Sequence, residues 1–264
     1  MVKSQALSHF FTFLLFSHLR LYSPWPEDQL MKRPRRLLLK LSGEALLGKQ
    51  SAGIDFSILG KLADQVLYLR KKGYEVALVL GAGNIWRFRD HEDSGISRVS
   101  SDFMGMLATI MNSVALMSAI EKQGGTARVC SALDIPAVAE PYIKRRAARH
   151  LEKGRVVICA GGTGNPYFTT DTAAALRALE LDCDLLVKAT HADGVYDDDP
   201  RTNKKAKRYD RVSYDEVLEK DLKVMDGAAI ALCRDGNLPI QVYLFGTKED
   251  LLRAVKGKVG TRVG

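Results

Sequence analysis

The sequence lacks the short motifs of several familiar enzyme classes. It has no GxxxxGK run followed by Ser or Thr, which excludes a P-loop kinase, and no complete GxGxxG, which disfavours a dinucleotide site. Its five histidines show no HExxH or other metal-ligand spacing, so the pattern does not favour a zinc enzyme. Its four cysteines form no CxxC pair and predict reduced structural thiols in a cytosolic protein.

A long apolar run is also missing from the N-terminus. Residues 10–16 are apolar and aromatic, but this run is too short to cross a bilayer and no small-residue cleavage site follows it. An appended or misassigned upstream segment, with Met31 as an alternative start, is therefore favoured over a signal peptide. We expect residues 1–31 to be an extension that is either disordered or a misassigned start, and residues 32–264 to form one domain.

The formal net charge of +8 is a modest basic surplus, and half of it lies in the first 36 residues. The basic runs KRPRR and IKRRAARH are typical of solvated helix faces and termini. A nucleic-acid-binding protein is therefore the weaker interpretation, since the remaining surplus suits small anionic substrates equally well. We expect neither a nucleic-acid partner nor a membrane partner.

Apolar strand-like runs alternate with amphipathic helical runs after Met31. Strands are predicted at residues 37–41, 76–80, 127–130, 156–160, 185–188 and 240–245. Helices are predicted at residues 57–72, 104–117, 143–152, 171–181, 213–218, 225–233 and 248–255. This alternation is typical of an α/β protein with a parallel sheet covered on both faces. The polar residues 197–211 predict a mobile surface loop.

Three glycine-bearing turns follow three of the predicted strands. They are Ser42-Gly43, residues 81–84 (GAGN) and residues 161–166 (GGTGNP). The carboxyl ends of parallel strands face one crevice, where ligands bind in open α/β sheets. Because glycine lets backbone amides approach phosphate oxygens closely, three such turns predict a phosphate site.

Lys40 and Lys188 each end an apolar strand-like run, where a structural residue would be Val, Ile or Leu. One such lysine is readily explained by a side chain that reaches the surface, but two beside glycine turns indicate charges aimed at a phosphoryl group. Asp171 opens a predicted helix and either serves that helix terminus or holds both ammonium groups. Phosphoryl transfer depends mainly on positioning and charge neutralisation, so paired lysines together with a metal ion suffice for it.

Six segments carry a resemblance to a known family. LLLKLSGEAL, GAGNIWR, RVSSDFMGMLATIMN, GGTGNPYFTTDTAAALRA, KATHADGVYDDDP and LKVMDGAA follow one another in the order found in the bacterial UMP kinases, which this chain resembles over essentially everything after Met31. The resemblance implies the amino acid kinase fold, a three-layer αβα sandwich around a mainly parallel sheet. It also implies Mg-ATP-dependent conversion of UMP to UDP, a step of pyrimidine nucleotide biosynthesis, in the cytoplasm.

The resemblance assigns roles to individual positions. Its catalytic residues are Lys40, Lys188, Asp171 and Arg87. Its ATP-binding residues are Lys40, Leu41, Ser42, Gly43, Gly83, Arg87, Thr190, Tyr196 and Asp199. Its UMP-binding residues are Ala82, Asp102, Thr163, Gly164, Asn165, Pro166, Tyr167, Phe168, Thr169 and Thr170. Asp226 is a weaker candidate because it also suits the cap of the following helix. No residue is assigned to a metal, since Mg²⁺ is expected to arrive with ATP.

The resemblance further implies a homohexamer that is activated by GTP and inhibited by UTP. Its activator site aligns with an allosteric region at Gly48, Lys49, Gln50, Ser51, Ala52 and Gly53, although any exposed loop would carry such glycines. Three positions depart from the family's pattern: Ala82 replaces a glycine, Phe88 follows Arg87 where glycine is common, and His191 stands where lysine is common. None of the three is a residue with an assigned catalytic role.

Two alternative functions fit part of the pattern. An acetylglutamate or aspartate kinase on the same scaffold would share the ATP half of the site, but Arg87, Asp102 and the TGNPYFTTD segment suit a phosphorylated nucleoside better. A non-catalytic nucleotide-binding or storage protein would not need Lys40, Asp171 and Lys188 together. No suitably paired Ser, Cys or His nucleophile is apparent, which favours direct in-line transfer without a covalent intermediate.

Overall fold

The computed structural model describes residues 35–264. The predicted N-terminal extension, residues 1–31, lies outside the described residues. The strands are β1 (Arg36–Leu41), β2 (Glu75–Leu80), β3 (Ala127–Ser131), β4 (Glu140–Pro141), β5 (Val156–Ala160), β6 (Leu185–Thr190), β7 (Val195–Tyr196), β8 (Arg208–Tyr209), β9 (Arg211–Val212), β10 (Ile240–Leu244) and β11 (Thr261–Val263). The α-helices are α1 (Phe56–Lys71), α2 (Arg98–Lys122), α3 (Lys144–Glu152), α4 (Thr170–Glu180), α5 (Tyr214–Glu219), α6 (Gly227–Asp235) and α7 (Lys248–Val255). Short 3-10 helices lie at Gly43–Leu46, Phe88–Asp90 and Glu92–Ser94.

Nine of these strands form one sheet in the order β4-β3-β5-β2-β1-β6-β10-β11-β9, and β7 and β8 form a separate antiparallel pair. All neighbours in the large sheet are parallel except β10 and β11. The chain runs from β1 to β2 on one side and later returns to β6 on the other side of β1. The boundary between β1 and β6 is therefore a topological switch point, where open α/β sheets bind ligands.

Both faces of the sheet are covered by helices. Leu37, Leu39 and Leu41 of β1 join one apolar core with residues of α1, α2 and α7. Leu38 points to the opposite face and joins a second core with residues of α3, α4, α5 and α6. This alternation follows from the two-residue period of a strand. The predicted three-layer αβα sandwich with a mainly parallel sheet is confirmed.

The longer elements lie close to their predicted positions, whereas the short strands were missed. Residues 197–211, predicted to be a loop, contain β8 and the first residue of β9, so that prediction is wrong for this part of the segment. Strands of two or three residues contain no apolar run long enough to show a period. All four cysteines are free and buried, and burial raises the pKa of Cys130 to about 12, which suits unreactive structural thiols.

Helix α2 presents an apolar face that the described residues leave uncovered. Met104, Leu107 and Met111 are 37%, 47% and 58% exposed. The helix is long and apolar enough to cross a membrane by length and composition, but 44% of its most apolar window is buried inside the protein. It contributes Ile110, Leu116 and other residues to the core that includes α1, which is typical of a core helix.

Candidate active site

Lys40 and Lys188 lie side by side at the switch point. They are direct partners in the parallel register of β1 and β6, so both side chains project from the same face of the sheet. Lys40 shares that face with Leu38, on the side covered by α4 and α6. The side chains of Lys40 and Lys188 are only 7% and 14% exposed. Two lysines are thus enclosed between a sheet and its covering helices, which requires an anionic partner.

Asp171 of α4 provides that partner. Its Oδ2 accepts a hydrogen bond from Lys188 Nζ at 2.7 Å, and its Oδ1 forms an ion pair with Lys40 Nζ. Thr169 caps the helix by accepting from the Asp171 backbone N–H at 3.0 Å, which fixes the carboxylate in the first helical turn. The positive end of the helix dipole also favours a carboxylate at this position.

The electrostatics of the cluster follow from its burial and from its uneven charge count. Burial acts to raise the pKa of Asp171, but the ammonium groups of Lys40 and Lys188 outweigh it, so the pKa lies below its ordinary value. Burial and the neighbouring Lys40 charge lower the pKa of Lys188, while Asp171 opposes them. With the lysines protonated, two cations share one carboxylate, and the excess positive charge favours a further anion such as a phosphoryl group.

The segment before α6 closes the same cluster from a second side. Lys188 Nζ donates a further hydrogen bond to the Val224 carbonyl oxygen. Asp226 caps α6 by accepting from the Ala229 backbone N–H at 2.9 Å. It also accepts hydrogen bonds from Thr169 and Thr172 at the start of α4. Asp226 therefore caps the following helix, the alternative that weakened it as a site candidate, and in addition ties together the first turns of two helices.

The first two glycine turns pack backbone against backbone. A Cβ atom on Gly43 would lie 2.4 Å from the Gly83 nitrogen, and one on Gly81 would lie 2.7 Å from the Gly43 nitrogen. Only glycine lets the two backbones approach this closely, so both turns lie close together at the end of β1. Ala82 is not among the non-glycine residues with positive φ, so its methyl group causes no backbone strain there.

A buried pair of amides braces the second turn and was not predicted from the sequence. Asn84 and Asn112 exchange two side-chain hydrogen bonds of 2.9 and 2.8 Å, and Asn112 also donates to the Gly81 carbonyl at 2.8 Å. Asn84 further donates to the carbonyl of Gly53 at 2.9 Å, and the Gly53 backbone N–H donates to the Asn84 carbonyl at 2.8 Å. The exposed segment 48–53 is thus anchored to the turn. Two asparagines 28 positions apart give no local pattern that would have revealed the pair.

Arg87 lies beside the second turn and has a carboxylate partner that was not predicted. Its Nε donates to the Gly83 carbonyl oxygen at 2.7 Å, and its Nη2 pairs with Glu44 at 3.0 Å. Its side chain is 24% exposed. The guanidinium group therefore links the first two glycine turns while it remains accessible from solvent.

The third turn opens the segment predicted to hold UMP. Gly161, Gly162 and Gly164 all adopt positive φ, which only glycine does without strain. The segment is attached to α2 by two contacts: the Gly161 N–H donates to Thr109 at 2.9 Å and the Tyr167 N–H donates to Asp102 at 2.7 Å. Asp102 thus meets the predicted loop directly. It also accepts from Arg98 Nε at 2.9 Å, and Arg98 was not predicted.

The predicted adenosine-side residues contact neighbours along the chain, and Thr190 also donates to the Tyr243 carbonyl oxygen on β10 at 3.3 Å. Tyr196 donates its hydroxyl to Asp193 at 2.6 Å, and Asp199 pairs with Arg201 at 2.8 Å, which lowers the pKa of Asp199 to about 2. Thr190 at the end of β6 donates to the Ala192 carbonyl at 2.7 Å. Within residues 35–264, none of these hydrogen bonds and ion pairs joins Thr190, Tyr196 or Asp199 to the lysine cluster.

Comparisons with known proteins agree with this geometry. A model of the amino acid kinase family matches residues 35–244. The chain therefore belongs to the amino acid kinase family.

Within that family its relatives are uridylate kinases, also called UMP kinases. The uridylate kinase of Zymomonas mobilis subsp. mobilis is 54% identical over 228 residues, covering 86% of this chain and 94% of the relative. That of Erythrobacter litoralis is 53% identical over 224 residues, covering 85% and 94%. The crystal structure of UMP kinase from Bacillus anthracis matches with a TM-score of 0.85 at 38% identity, covering 88% of this chain and 97% of that chain. The resemblance to the bacterial UMP kinases is thus confirmed.

Proposed function

We propose that this protein transfers the γ-phosphoryl group of ATP to UMP, giving ADP and UDP, as a step of pyrimidine nucleotide biosynthesis. The observation that carries the proposal is the buried cluster of Lys40, Asp171 and Lys188 at the switch point of the sheet. The names of the relatives supply the acceptor, since they are uridylate kinases at 52–54% identity.

In the proposed mechanism the chain contributes positioning and charge. Lys40 and Lys188 neutralise the charge that spreads over the transferring phosphoryl oxygens, and Asp171 keeps both ammonium groups in place between transfers. The backbone amides of the glycine turns and Arg87 bind the remaining phosphate oxygens. A UMP phosphate oxygen attacks in line, so the configuration of a chirally labelled γ-phosphorus is inverted. Retention of configuration, or a trapped phospho-enzyme, would contradict direct transfer.

Mg²⁺ is the cofactor implied by the family, and the residues present fit an ion that is held by ATP rather than by the protein. Within the described residues no group of three or more His, Cys, Asp or Glu side chains is placed to bind a metal. The two carboxylates closest to the lysines, Asp171 and Asp226, are already engaged by lysines, hydroxyls and a backbone N–H. When bound with ATP, the ion would neutralise phosphate charge, and we assign no protein ligand to it.

We assign the two nucleotides to the two sides of the lysine pair. The acceptor lies against Ala82, Asp102 and the loop from Thr163 to Thr170, which the Tyr167 contact joins to Asp102. ATP places its phosphates on residues 40–43, Gly83 and Arg87, and its adenosine near Thr190, Tyr196 and Asp199. The adenine packs on Tyr196, and the ribose hydroxyls displace Arg201 from Asp199.

The exposed apolar face of α2 supports a proposed assembly of identical subunits. The family resemblance implies that this assembly is a hexamer in the cytoplasm. Met111 of α2 lines a groove of about 830 Å³ that is also lined by Phe56, a residue that is 76% exposed. A surface this apolar is more typical of a subunit interface than of a monomer's surface. GTP activation and UTP inhibition belong to the same proposal, with residues 48–53 as the region that responds.

A panel of phosphoryl acceptors with Mg-ATP tests the proposed function. We expect UMP to be phosphorylated at least about a hundredfold more efficiently, by kcat/KM, than CMP, acetylglutamate or aspartate, because a site built for a substrate's polar groups rejects analogues lacking them. Preference for an amino acid would show an acyl-phosphate kinase on the same scaffold. ATP binding without transfer to any acceptor would show a nucleotide-binding protein.

A further inference from the structure

The contacts around Asp102 include a residue that no family motif assigned. Arg98 and Asp102 stand four positions apart on α2, and Arg98 Nε donates to both carboxylate oxygens at 2.9 Å. Asp102 Oδ2 also accepts from the Tyr167 backbone N–H at 2.7 Å. We propose that Arg98 is a positioning residue of the acceptor site, which fixes Asp102 and, through it, the loop that binds UMP. This inference rests on the proposed function.

The backbone of Tyr167 shows why the loop needs such an anchor. Tyr167 has a φ of 71°, a left-handed conformation that is uncommon for a bulky residue and strains the backbone. Its N–H donates to the Asp102 carboxylate, and a hydrogen bond to a charged acceptor offsets such strain. The carboxylate must therefore keep its orientation for the loop to keep this shape.

The guanidinium group of Arg98 holds the Asp102 carboxylate in this orientation and also lies near two aromatic rings. Its Cζ lies 5.2 Å from the ring centroid of Phe88 and 5.7 Å from that of Tyr167. A planar guanidinium can stack on aromatic faces while its Nε–H binds a carboxylate, which a lysine cannot do. The stack connects the segment before α2 with the loop after β5.

A carboxylate has about four acceptor positions, and three at Asp102 are taken by Arg98 and Tyr167. The remaining position, on Oδ1, is available to one ribose hydroxyl of the acceptor. Loss of Arg98 would free the carboxylate to rotate, and both the loop and that acceptor position would lose their fixed geometry. The expected defect is confined to UMP, because Arg98 makes no contact with the lysine cluster among its hydrogen bonds and ion pairs in the described residues.

Steady-state kinetics of R98A, R98K and H91A test the proposal. We expect R98A to raise the KM for UMP about tenfold or more, the effect of losing a charged hydrogen bond, with kcat and the KM for ATP within about twofold of wild type. R98K should recover part of the loss, since it restores the charge but not the planar stack. Because Arg98 is 42% exposed, R98A is expected to fold, and its melting temperature checks this.

H91A is the matched control, because His91 stacks on Trp86 at 4.2 Å in the same segment without contacting Arg98 or Asp102 through a hydrogen bond. It should leave the KM for UMP unchanged. An unchanged KM for UMP in R98A, equal increases for UMP and ATP, or no recovery in R98K would overturn the proposal. If the wild-type enzyme phosphorylated no UMP at all, the proposed function itself would be contradicted, which is a distinguishable result.

Discussion

At the scale of single residues, the decisive feature is an imbalance of charge inside the protein. Lys40 and Lys188 share the carboxylate of Asp171, and the side chains of all three are at most 14% exposed. A buried ion pair with matched charges would be complete by itself, whereas Lys40, Lys188 and Asp171 together carry one excess positive charge when both lysines are protonated. The free enzyme is therefore already arranged for the charge of the reacting group, which is how electrostatic catalysis operates.

Replacing Lys40 with alanine should reduce kcat about a hundredfold or more and change the KM for UMP by less than about threefold, because its charge acts mainly in the transition state. Initial rates at saturating ATP with varied UMP measure both constants. Lys72→Ala removes an exposed lysine beyond α1 and serves as the control. Unchanged turnover with weakened UMP binding would show that Lys40 is a binding residue only.

Replacing Asp171 with asparagine should make stability depend less on pH. Because the pKa of Asp171 is lowered in the folded protein, its charged form stabilises the fold above the ordinary value of 3.8, and this contribution is lost as the pH falls through the folded pKa. Urea unfolding should show a gap between wild type and D171N that is widest near neutral pH and narrows below about pH 4. A gap that widened on acidification would contradict the charged state assigned to Asp171.

At the scale of secondary structure, the carboxylate of Asp226 accepts hydrogen bonds from the first turns of both α4 and α6. Asp226 accepts hydrogen bonds from Thr172 at 2.8 Å and from the Ala229 N–H at 2.9 Å, so it sets where α4 begins relative to α6. Asp171 lies in that first turn of α4. The position of the Asp171 carboxylate thus depends on a helix cap more than fifty residues away in sequence.

Replacing Asp226 with alanine should lower the free energy of unfolding by about 1–2 kcal/mol, as the loss of a helix cap does, and should also lower kcat about tenfold or more. Urea unfolding and initial rates measure the two effects. Ser213→Ala, which removes the cap of α5 at the Glu216 N–H, is the matched control and should lower stability without lowering kcat. Equal losses of kcat in both variants would mean that Asp226 acts only through general stability.

The elements that the sequence predicted are at least five residues long, which is long enough for a periodic apolar pattern to show. β5 and α7 match their predicted limits, and the strand-end lysines with their glycine turns follow from the same pattern. The two- and three-residue strands β4, β7, β8, β9 and β11 depend on neighbouring strands rather than on their own sequence. The Asn84–Asn112 pair and the contact of Asp102 with Tyr167 join residues far apart in the chain, so only the folded structure reveals them.

At the scale of the whole molecule, the apolar face of α2 is the interface of the proposed assembly. Replacing Leu107 and Met111 with lysine should shift the protein to smaller species, because charges would have to be buried in an apolar interface. Size-exclusion chromatography with light scattering measures the assembly. Leu244→Lys changes an exposed apolar residue at the end of β10 and should leave the assembly unchanged. An unchanged assembly in the α2 variant would place the interface on another face.

The central claim is that UMP receives the γ-phosphoryl group of ATP at the lysine pair. The most direct test follows radiolabel from γ-labelled ATP into UDP with wild type and Lys188→Ala, after nucleotide binding to both has been measured. The account predicts labelled UDP with wild type, and at least about a hundredfold slower labelling with the variant at similar UMP affinity. Label that appears in no UDP, or that appears at the wild-type rate in the variant, would contradict it.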